Sequence, residues 1–220
     1  MIQCISNILI IFNSFLVLIF IVFKCKGQVD VGFLLDSSGS LSNDYDREKE
    51  FMKQLAGSFV IGQDATRLGV ITFSQFADYS IRLSDFDNKI DFDLAVDAIP
   101  LMGSTTRIDK ALLLAQTEMF QLTNGGRGGV PKLLVLLTDG TQSSGPDVIR
   151  PDIIADEIRN SGINLLVVGI GQNVDYQELQ TISGNSKNAF VADSFEELTS
   201  SGFIGNIAQQ SCKEGEFYIV

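Results

Sequence analysis

The side chains of this sequence that could do chemistry are carboxylates and hydroxyls placed just after short apolar runs. Asp36, Ser38 and Ser40 occupy alternate positions of a glycine-containing loop, so their oxygen atoms can turn to one side together. Asp139 follows a later apolar run, and Thr106 precedes a segment of helical period. Carboxylates, hydroxyls and water are ligands that suit Mg²⁺, Mn²⁺ or Ca²⁺. If the three loops meet, they form a site for a divalent cation.

A cation held by few carboxylates keeps a net positive charge and an open coordination position. Such an ion can accept a carboxylate from a partner protein as its last ligand. This chain is strongly acidic, with 27 Asp and Glu against 16 Lys and Arg and a formal net charge of -11, and would otherwise repel that partner. These features predict adhesion bridged by a metal ion.

The composition also excludes several classes of function. The chain contains no His, which excludes Ser-His-Asp and Cys-His catalysis and metal sites built on imidazole. Its basic residues are scattered singly, whereas a face that binds nucleic acid concentrates them. The acidic residues of segment 44–50 are interpreted as a solvated helix face.

The elements that must position these oxygen atoms follow from the hydrophobic pattern. Runs that are apolar at nearly every position predict strands buried on both faces, as in a parallel sheet covered by helices. The clearest of these runs are residues 29–35, 68–73, 133–137 and 165–170. Segments of helical period between and after them are residues 45–59, 90–99, 108–121, 148–160, 176–182 and 196–210.

This alternation predicts an α/β fold with a doubly wound, mostly parallel central sheet and helices on both faces. Residues 77–83 follow the second strand too closely for a crossover helix, so they should form one antiparallel edge strand. In such sheets, ligands bind beyond the carboxyl ends of the strands. Residues 124–129, which are rich in glycine, are interpreted as a flexible turn.

Each candidate residue also has a local explanation. Thr106 with Asp109 three residues later resembles a capping box at a helix start. Ser38 and Ser40 are common turn residues, and Asp139 could end its strand in a turn. Only their joint occurrence at one predicted sheet edge favours a cation site.

On these residues the chain resembles a von Willebrand factor type A domain, of the kind found in matrilins, several collagens and the inserted domain of integrins. The metal-ion-dependent adhesion site (MIDAS) of that family has a D-x-S-x-S loop, a threonine before a helix and an aspartate after a later strand. Asp36, Ser38 and Ser40 match the loop, Thr106 in Thr-Arg-Ile-Asp-Lys-Ala-Leu the threonine, and Asp139 in Leu-Leu-Thr-Asp-Gly the aspartate. The resemblance covers nearly all of residues 28–220.

The resemblance implies a divalent cation, most often Mg²⁺, with Mn²⁺ or Ca²⁺ as alternatives, and an extracellular protein ligand without catalysis. Ser38, Ser40 and Thr106 would bind the ion directly, and Asp36 and Asp139 directly or through water. Thr105 is the alternative register for the threonine. Partners consistent with the family are an extracellular matrix protein such as collagen, or a second copy of the chain.

Two other functional classes stay open from the sequence. An aspartate after the first strand and another after a later strand also resemble phosphatases that form an aspartyl phosphate, but Ser38 stands where their second carboxylate belongs. The chain could instead be a structural acidic matrix module without a specific cation-dependent ligand. A dinucleotide site is disfavoured because the first turn lacks the G-x-G-x-x-G pattern.

The first 23 residues carry no charged side chain and are largely apolar. This pattern predicts a signal peptide over residues 1–27 with cleavage after Gly27, and hence a secreted, extracellular protein. The folded domain would then span residues 28–212 and a short tail residues 213–220. An uncleaved membrane anchor is the alternative, although the lysines that follow the apolar run would leave the domain in the cytosol.

The cysteines depend on the position of that cleavage. Removal of residues 1–27 would leave Cys212 alone, which predicts an intermolecular disulfide or a free thiol. Cleavage further upstream would leave Cys25 and Cys212 flanking the domain, where they could form one bond across it. The sequence leaves both arrangements open.

Overall fold

The computed structural model describes residues 5–12, 15–211 and 216–219 of the chain. Cys4 and Cys212 therefore lie outside the described residues. The two predicted arrangements of Cys212, a bond to Cys25 or a free or intermolecular thiol, fall there as well. Within the described residues, six strands form the central sheet and three form a separate small sheet.

The strands of the central sheet are short and closely match the apolar runs of the sequence. In chain order the strands of the protein are β1 (Ile5–Phe12), β2 (Phe15–Lys26), β3 (Val29–Asp36), β4 (Thr66–Phe73), β5 (Ala77–Ile81), β6 (Lys132–Thr138), β7 (Asn164–Ile170), β8 (Ala189–Ala192) and β9 (Glu216–Ile219). The order across the central sheet is β5-β4-β3-β6-β7-β8. All of its neighbouring pairs are parallel except β4 with β5, which confirms the predicted antiparallel edge.

Helices cover both faces of this sheet, as the alternation of elements predicts. They are α1 (Tyr45–Ala56), α2 (Lys89–Asp97), α3 (Ile108–Leu114), α4 (Pro151–Asn160), α5 (Tyr176–Ser183), α6 (Phe195–Leu198) and α7 (Ser201–Ser211). Helix α3 continues into a π-helical turn at Ala115–Met119, and a 3-10 turn at Gly39–Asn43 precedes α1. None of the helices in the described part of the chain combines the length and the apolar character that a membrane span requires.

The sequence pattern missed details at the carboxyl-terminal side of the domain. Strand β8 has only four residues, too few for a periodic signal, and is defined by its pairing with β7. The predicted helix over 196–210 is divided into two helices. The first, α6, ends at Leu198 with Thr199 as its C-cap residue, and α7 begins at Ser201. Neither difference changes the fold class.

Alternate residues of the central strands enter two separate cores, which explains why these strands are apolar throughout. Phe33 of β3 packs in one core with Phe51 of α1 and Phe92 of α2, whereas Leu34 packs in the other with Leu112 of α3. All five side chains are fully buried. Burial on both faces of the sheet is therefore what fixes strand position and register.

The glycine-rich loop that was interpreted as a flexible turn is held in place by Arg127. The Arg127 side chain donates to Asp30 at 2.8 Å, and its backbone N–H donates to the same carboxylate at 2.8 Å. It also donates to the carbonyl oxygens of Val29 and Ala65. Asp30 is fully buried, so this loop is an anchored connection and the prediction of flexibility was wrong in that respect.

The segment predicted as a leader forms strands. β1 and β2 pair antiparallel, and β9 pairs with the end of β2, in the small sheet beside the domain. Its cleavage stays a prediction. Cys25, near the end of β2, is disulfide-bonded.

The topology places the candidate residues at the reversal point of the sheet. From β3 the chain moves outward to β4, and from β6 it moves outward in the opposite direction to β7 and β8. The loops after β3 and β6 therefore lie side by side at the carboxyl ends of adjacent strands, where ligands bind in open α/β sheets. Asp36 ends β3, and Asp139 follows β6.

Candidate functional site

Asp36 lies at the base of the site and is fully buried. Its Oδ1 accepts the backbone N–H of Ser38 at 2.9 Å, and its Oδ2 accepts the hydroxyl of Thr138 at 2.7 Å. Burial raises the pKa of Asp36 to about 6, although both hydrogen bonds act to lower it. The carboxylate is thus fixed in orientation while its negative charge lacks full compensation.

Ser38, Ser40 and Asp139 form a continuous chain of oxygen atoms across the two loops. The hydroxyl oxygens of Ser38 and Ser40 lie 3.1 Å apart, and the Ser40 hydroxyl donates to Oδ1 of Asp139 at 2.9 Å. Burial raises the pKa of Asp139, and the hydrogen bond from Ser40 partly offsets this effect. The loops after β3 and β6 therefore meet through side-chain oxygens, as the sequence predicts for a shared site.

Thr106 lies at the same sheet edge, on the segment that leads into α3. Its hydroxyl oxygen is 3.7 Å from the position that a side-chain carbon on Gly140 would occupy, so it faces the loop after β6. Thr105 is exposed, whereas Thr106 is only 8% exposed. Thr106 does not cap the helix, because Arg107 is the residue at the N-cap and makes no side-chain capping bond.

The loop that carries Ser38 is tied to the loop that precedes Thr106. The backbone N–H of Gly39 donates to the carbonyl oxygen of Ser104 at 2.9 Å, and Gly103 donates to the carbonyl oxygen of Ser37 at 2.8 Å. The hydroxyl of Ser37 accepts the backbone N–H of Met102 at 2.7 Å. Ser104 adopts a positive φ of 78°, a conformation that few residues other than glycine occupy. The three loops are thereby held in fixed relative positions.

A buried ion pair fixes the start of α3 against the loop after β6. The Arg107 guanidinium donates two hydrogen bonds to Asp109, at 2.8 and 2.7 Å. Gln142 bonds to both the backbone N–H and the carboxylate of Asp109. Thr106 and Asp109 do not form the capping box that their spacing resembles: the Asp109 N–H donates to Gln142 and the carboxylate pairs with Arg107, so the Thr106 hydroxyl is available to the site.

The donor set combines two carboxylates with three hydroxyls. Within the described part of the chain, no group of three or more Asp, Glu, Cys or His side chains is placed to hold a metal ion. A cation here would consequently depend on hydroxyl and water ligands, which hard divalent ions accept. The negative charge of Asp139 contributes to the raised pKa of Asp36, so the two carboxylates repel each other. A bound cation would relieve that repulsion, so the residues fit a divalent ion.

Two features near this site escaped the sequence analysis. The Thr138 hydroxyl donates to the Asp36 carboxylate; the usable signal was that Thr138 ends its strand as Asp36 ends the neighbouring one. The sequence predicts a solvated helix face for Glu48, but it is fully buried, and neither of its carboxylate oxygens has a hydrogen-bond partner among the described residues. Burial, with the charges of Asp36 and Asp139, raises the pKa of Glu48 well above its usual value.

Comparison with known proteins agrees with this architecture. The sequence profile of the von Willebrand factor type A domain matches residues 30–202, which include all five candidate ligands. The chain belongs to the von Willebrand factor type A domain family. The D-x-S-x-S loop, Thr106 and Asp139 lie inside the matched region of this type A domain.

Relatives of this type A domain include extracellular matrix proteins. It is 32% identical over 177 residues to the human collagen alpha-6(VI) chain, covering 79% of this chain and 8% of the collagen. It is 27% identical over 185 residues to chicken matrilin-1, covering 81% of this chain and 36% of the matrilin. The chain thus spans a small part of the collagen and about a third of the matrilin.

Solved structures of a mussel byssus protein share the fold. Proximal thread matrix protein 1 superimposes with a TM-score of 0.80 at 27% identity, covering 87% of this chain and 49% of that one. A second structure of the same protein, with a TM-score of 0.77 and 28% identity over 87% of this chain and 48% of that one, is described as having a zinc-occupied MIDAS motif. A neighbour of this type A domain therefore holds a divalent metal at that motif.

These relationships favour a binding module over an enzyme for the type A domain. Its matched relatives are collagen and matrilin chains. The phosphatase alternative required a second carboxylate at position 38, and the hydroxyl of Ser38 there is bound within the Ser40–Asp139 chain.

Proposed function

We propose that this type A domain is an extracellular adhesion module that binds a divalent cation and, through it, a carboxylate of a protein partner. Asp36, Ser38, Ser40, Thr106 and Asp139 would hold the ion, with Mg²⁺ as the expected cation. The observation that carries this proposal is the oxygen chain Ser38–Ser40–Asp139, which joins the loops after adjacent strands next to the buried Asp36.

The charge around the oxygen chain supports a cation as its occupant. Both carboxylates have raised pKa values and are bonded to hydroxyl and backbone groups, with no Lys or Arg among their hydrogen-bond partners in the described residues. An ion with two anionic ligands and neutral hydroxyls would retain positive charge on its exposed side. That charge would attract a partner carboxylate.

Exposed apolar side chains near the site supply a surface for the rest of a protein ligand. Met102 is 42% exposed and its backbone bonds to Ser37; Leu101 beside it is 37% exposed. Phe76 is 65% exposed and follows Gln75, which accepts the hydroxyl of Ser104. A protein segment that offers an acidic side chain with an apolar neighbour would fit both features.

The nature of the partner and the route to the cell exterior are part of the same proposal. Collagen or another matrix protein, or a second copy of the chain, would offer the carboxylate, in agreement with relatives that are matrix proteins. The apolar amino-terminal segment would direct secretion. Cys212 lies outside the described residues. It would form an intermolecular disulfide only if cleavage removed Cys25 and left Cys212 as the one remaining cysteine.

The test is calorimetric titration of Mg²⁺, Mn²⁺ and Ca²⁺ into the purified chain and its Asp139→Ala variant. We expect one saturable site in the unmodified chain and its loss in the variant, because Asp139 accepts from Ser40 and supplies half of the anionic charge. Asp64→Ala is the matched control, since Asp64 is exposed and lies before β4, at the other end of the strands. Binding that is weak, non-saturating and equal in all three proteins would favour the structural acidic module instead.

A further inference from the structure

Cys25 belongs to the folded core although it lies in the segment predicted to be cleaved. Its side chain is 5% exposed and packs in the same core as Phe59 and Ile207. Its backbone is also fixed: the Cys25 N–H donates to the carbonyl oxygen of Ser58 at 2.7 Å, and its carbonyl oxygen accepts the N–H of Val60 at 3.2 Å. These bonds form a one-residue parallel bridge with the chain that follows α1.

Cys25 is disulfide-bonded, whereas the other two cysteines of the chain, Cys4 and Cys212, lie outside the described residues. A disulfide at a buried, hydrogen-bonded position constrains the unfolded chain as well as the folded one. The bond therefore gives Cys25 a covalent role in addition to its packing.

The carboxyl-terminal part of the chain passes next to Cys25. Ile204, Ile207 and Ala208 of α7 are buried in the core that contains Cys25. Strand β9 pairs with β2 so that Phe217 lies opposite Cys25. Both ends of the domain thus meet at this point, before the first residue of β3.

We propose that Cys25 is retained in the mature protein as a disulfide cysteine of the domain, so that any cleavage of the leader falls before it. Cleavage after Gly27 would remove a buried side chain from the core and both hydrogen bonds that hold residues 58–60. Cleavage before Cys25 removes most of β1 and β2 and leaves the central sheet and its two cores intact. The folded unit therefore begins at Cys25, three residues before the predicted boundary at Gln28.

The experiment is disulfide and amino-terminal mapping of the full chain, expressed with its own amino terminus in a eukaryotic secretory host. The purified protein is unfolded without reductant, alkylated, reduced, alkylated with a second reagent and digested with chymotrypsin. Trypsin is unsuitable because Lys24 and Lys26 flank Cys25 and would release it in a very short peptide. Mass spectrometry then reports the first residue and the label on Cys25.

We expect an amino terminus at or before Cys25, and Cys25 labelled only by the second reagent in a monomer of the chain. A first residue at Gln28, Cys25 labelled before reduction, or Cys25 bonded only between two chains would overturn the proposal. The Cys25→Ser variant should expose one additional thiol to the first reagent. If that variant is not secreted, the labels of the unmodified chain still decide the outcome.

Discussion

At the scale of single residues, the candidate cation site depends on two carboxylates whose ionisation is made unfavourable by burial. Burial raises the pKa values of both Asp36 and Asp139, and the charge of Asp139 adds to the increase at Asp36. Hydroxyl and backbone donors fix their positions without supplying positive charge. The same side chains that would bind a cation therefore compete for protons.

The affinity for Mg²⁺ should consequently depend on pH. Since the pKa of Asp36 is raised to about 6, the metal-free carboxyl is mostly protonated at pH 5, and a cation must displace that proton. We expect Mg²⁺ affinity to fall about tenfold per pH unit below about pH 6. Calorimetry at pH 7.5 and pH 5.0 measures the change, and equal affinities at the two values would contradict it.

Glu48 gives a prediction about stability. Its carboxylate is fully buried and has no hydrogen-bond partner in the described part of the chain, so replacing it with leucine should raise the free energy of unfolding by about 1–3 kcal/mol near neutral pH. Its folded-state pKa is raised, so its contribution to stability is fully present below the unfolded pKa and declines as pH rises. The gain in Glu48→Leu should therefore grow with pH.

Urea unfolding of Glu48→Leu at several pH values measures that gain. Glu50→Leu is the matched control on the same helix, because the Glu50 side chain is 46% exposed and bonds to Gln54 and Lys53. The control should give no gain. A Glu48→Leu protein that is less stable, with the pH dependence of the unmodified chain, would show that this carboxyl has a stabilising role.

At the scale of elements, buried ion pairs hold a helix start and the glycine-rich loop, of which the sequence presents only the loop as mobile. Arg107 and Asp109 fix the start of α3, and Arg127 and Asp30 fix the glycine-rich loop before β6. In each pair the carboxylate is almost completely buried, at 1% and 0% side-chain exposure. Removal of one partner would leave an uncompensated charge in the interior.

The Arg127→Ala variant should lose about 3–5 kcal/mol of unfolding free energy, because Asp30 would be left buried and unpaired. Urea unfolding measures this loss. Arg150→Ala is the control: the Arg150 side chain is 74% exposed in its pair with Asp152, and we expect no measurable change. Equal effects of the two substitutions would contradict the anchoring role of Arg127.

At the scale of the whole molecule, the candidate cation site and Cys25 lie at opposite ends of the sheet. Strand β3 has eight residues and runs from the Cys25 side to Asp36. At about 3.3 Å per residue, it separates the two ends by roughly 25 Å. A covalent bond at one end therefore leaves the cation edge accessible to a partner.

Binding of a cation at that edge should stabilise the entire domain, since its ligands come from loops after different elements. At a free Mg²⁺ concentration one hundred times the dissociation constant, the gain is about 2.7 kcal/mol. For a domain of this size that corresponds to a rise in Tm of roughly 5–11 °C. Differential scanning calorimetry measures the shift, which should be absent in Asp139→Ala and present in Asp64→Ala.

The sequence by itself determined the fold class, the antiparallel edge and the candidate ligands. Continuous apolar runs identify strands buried on both faces, and the spacing of Asp36, Ser38 and Ser40 is a local feature of one loop. Such local patterns can be identified without knowing which elements pack against them. The resemblance to the type A family favoured Thr106 over Thr105 by its distance to Ala111 and Leu112; Thr106 is buried and Thr105 is exposed.

Only the tertiary structure decided which groups lie together in the interior. The burial of Glu48, the partner of Asp109, the anchoring of Arg127 and the packing of Cys25 in the core each depend on elements distant in sequence. A charged residue on a helix has the same local pattern whether it faces solvent or a core. The difference arises from what packs against it, because desolvation and pairing are properties of the assembled environment.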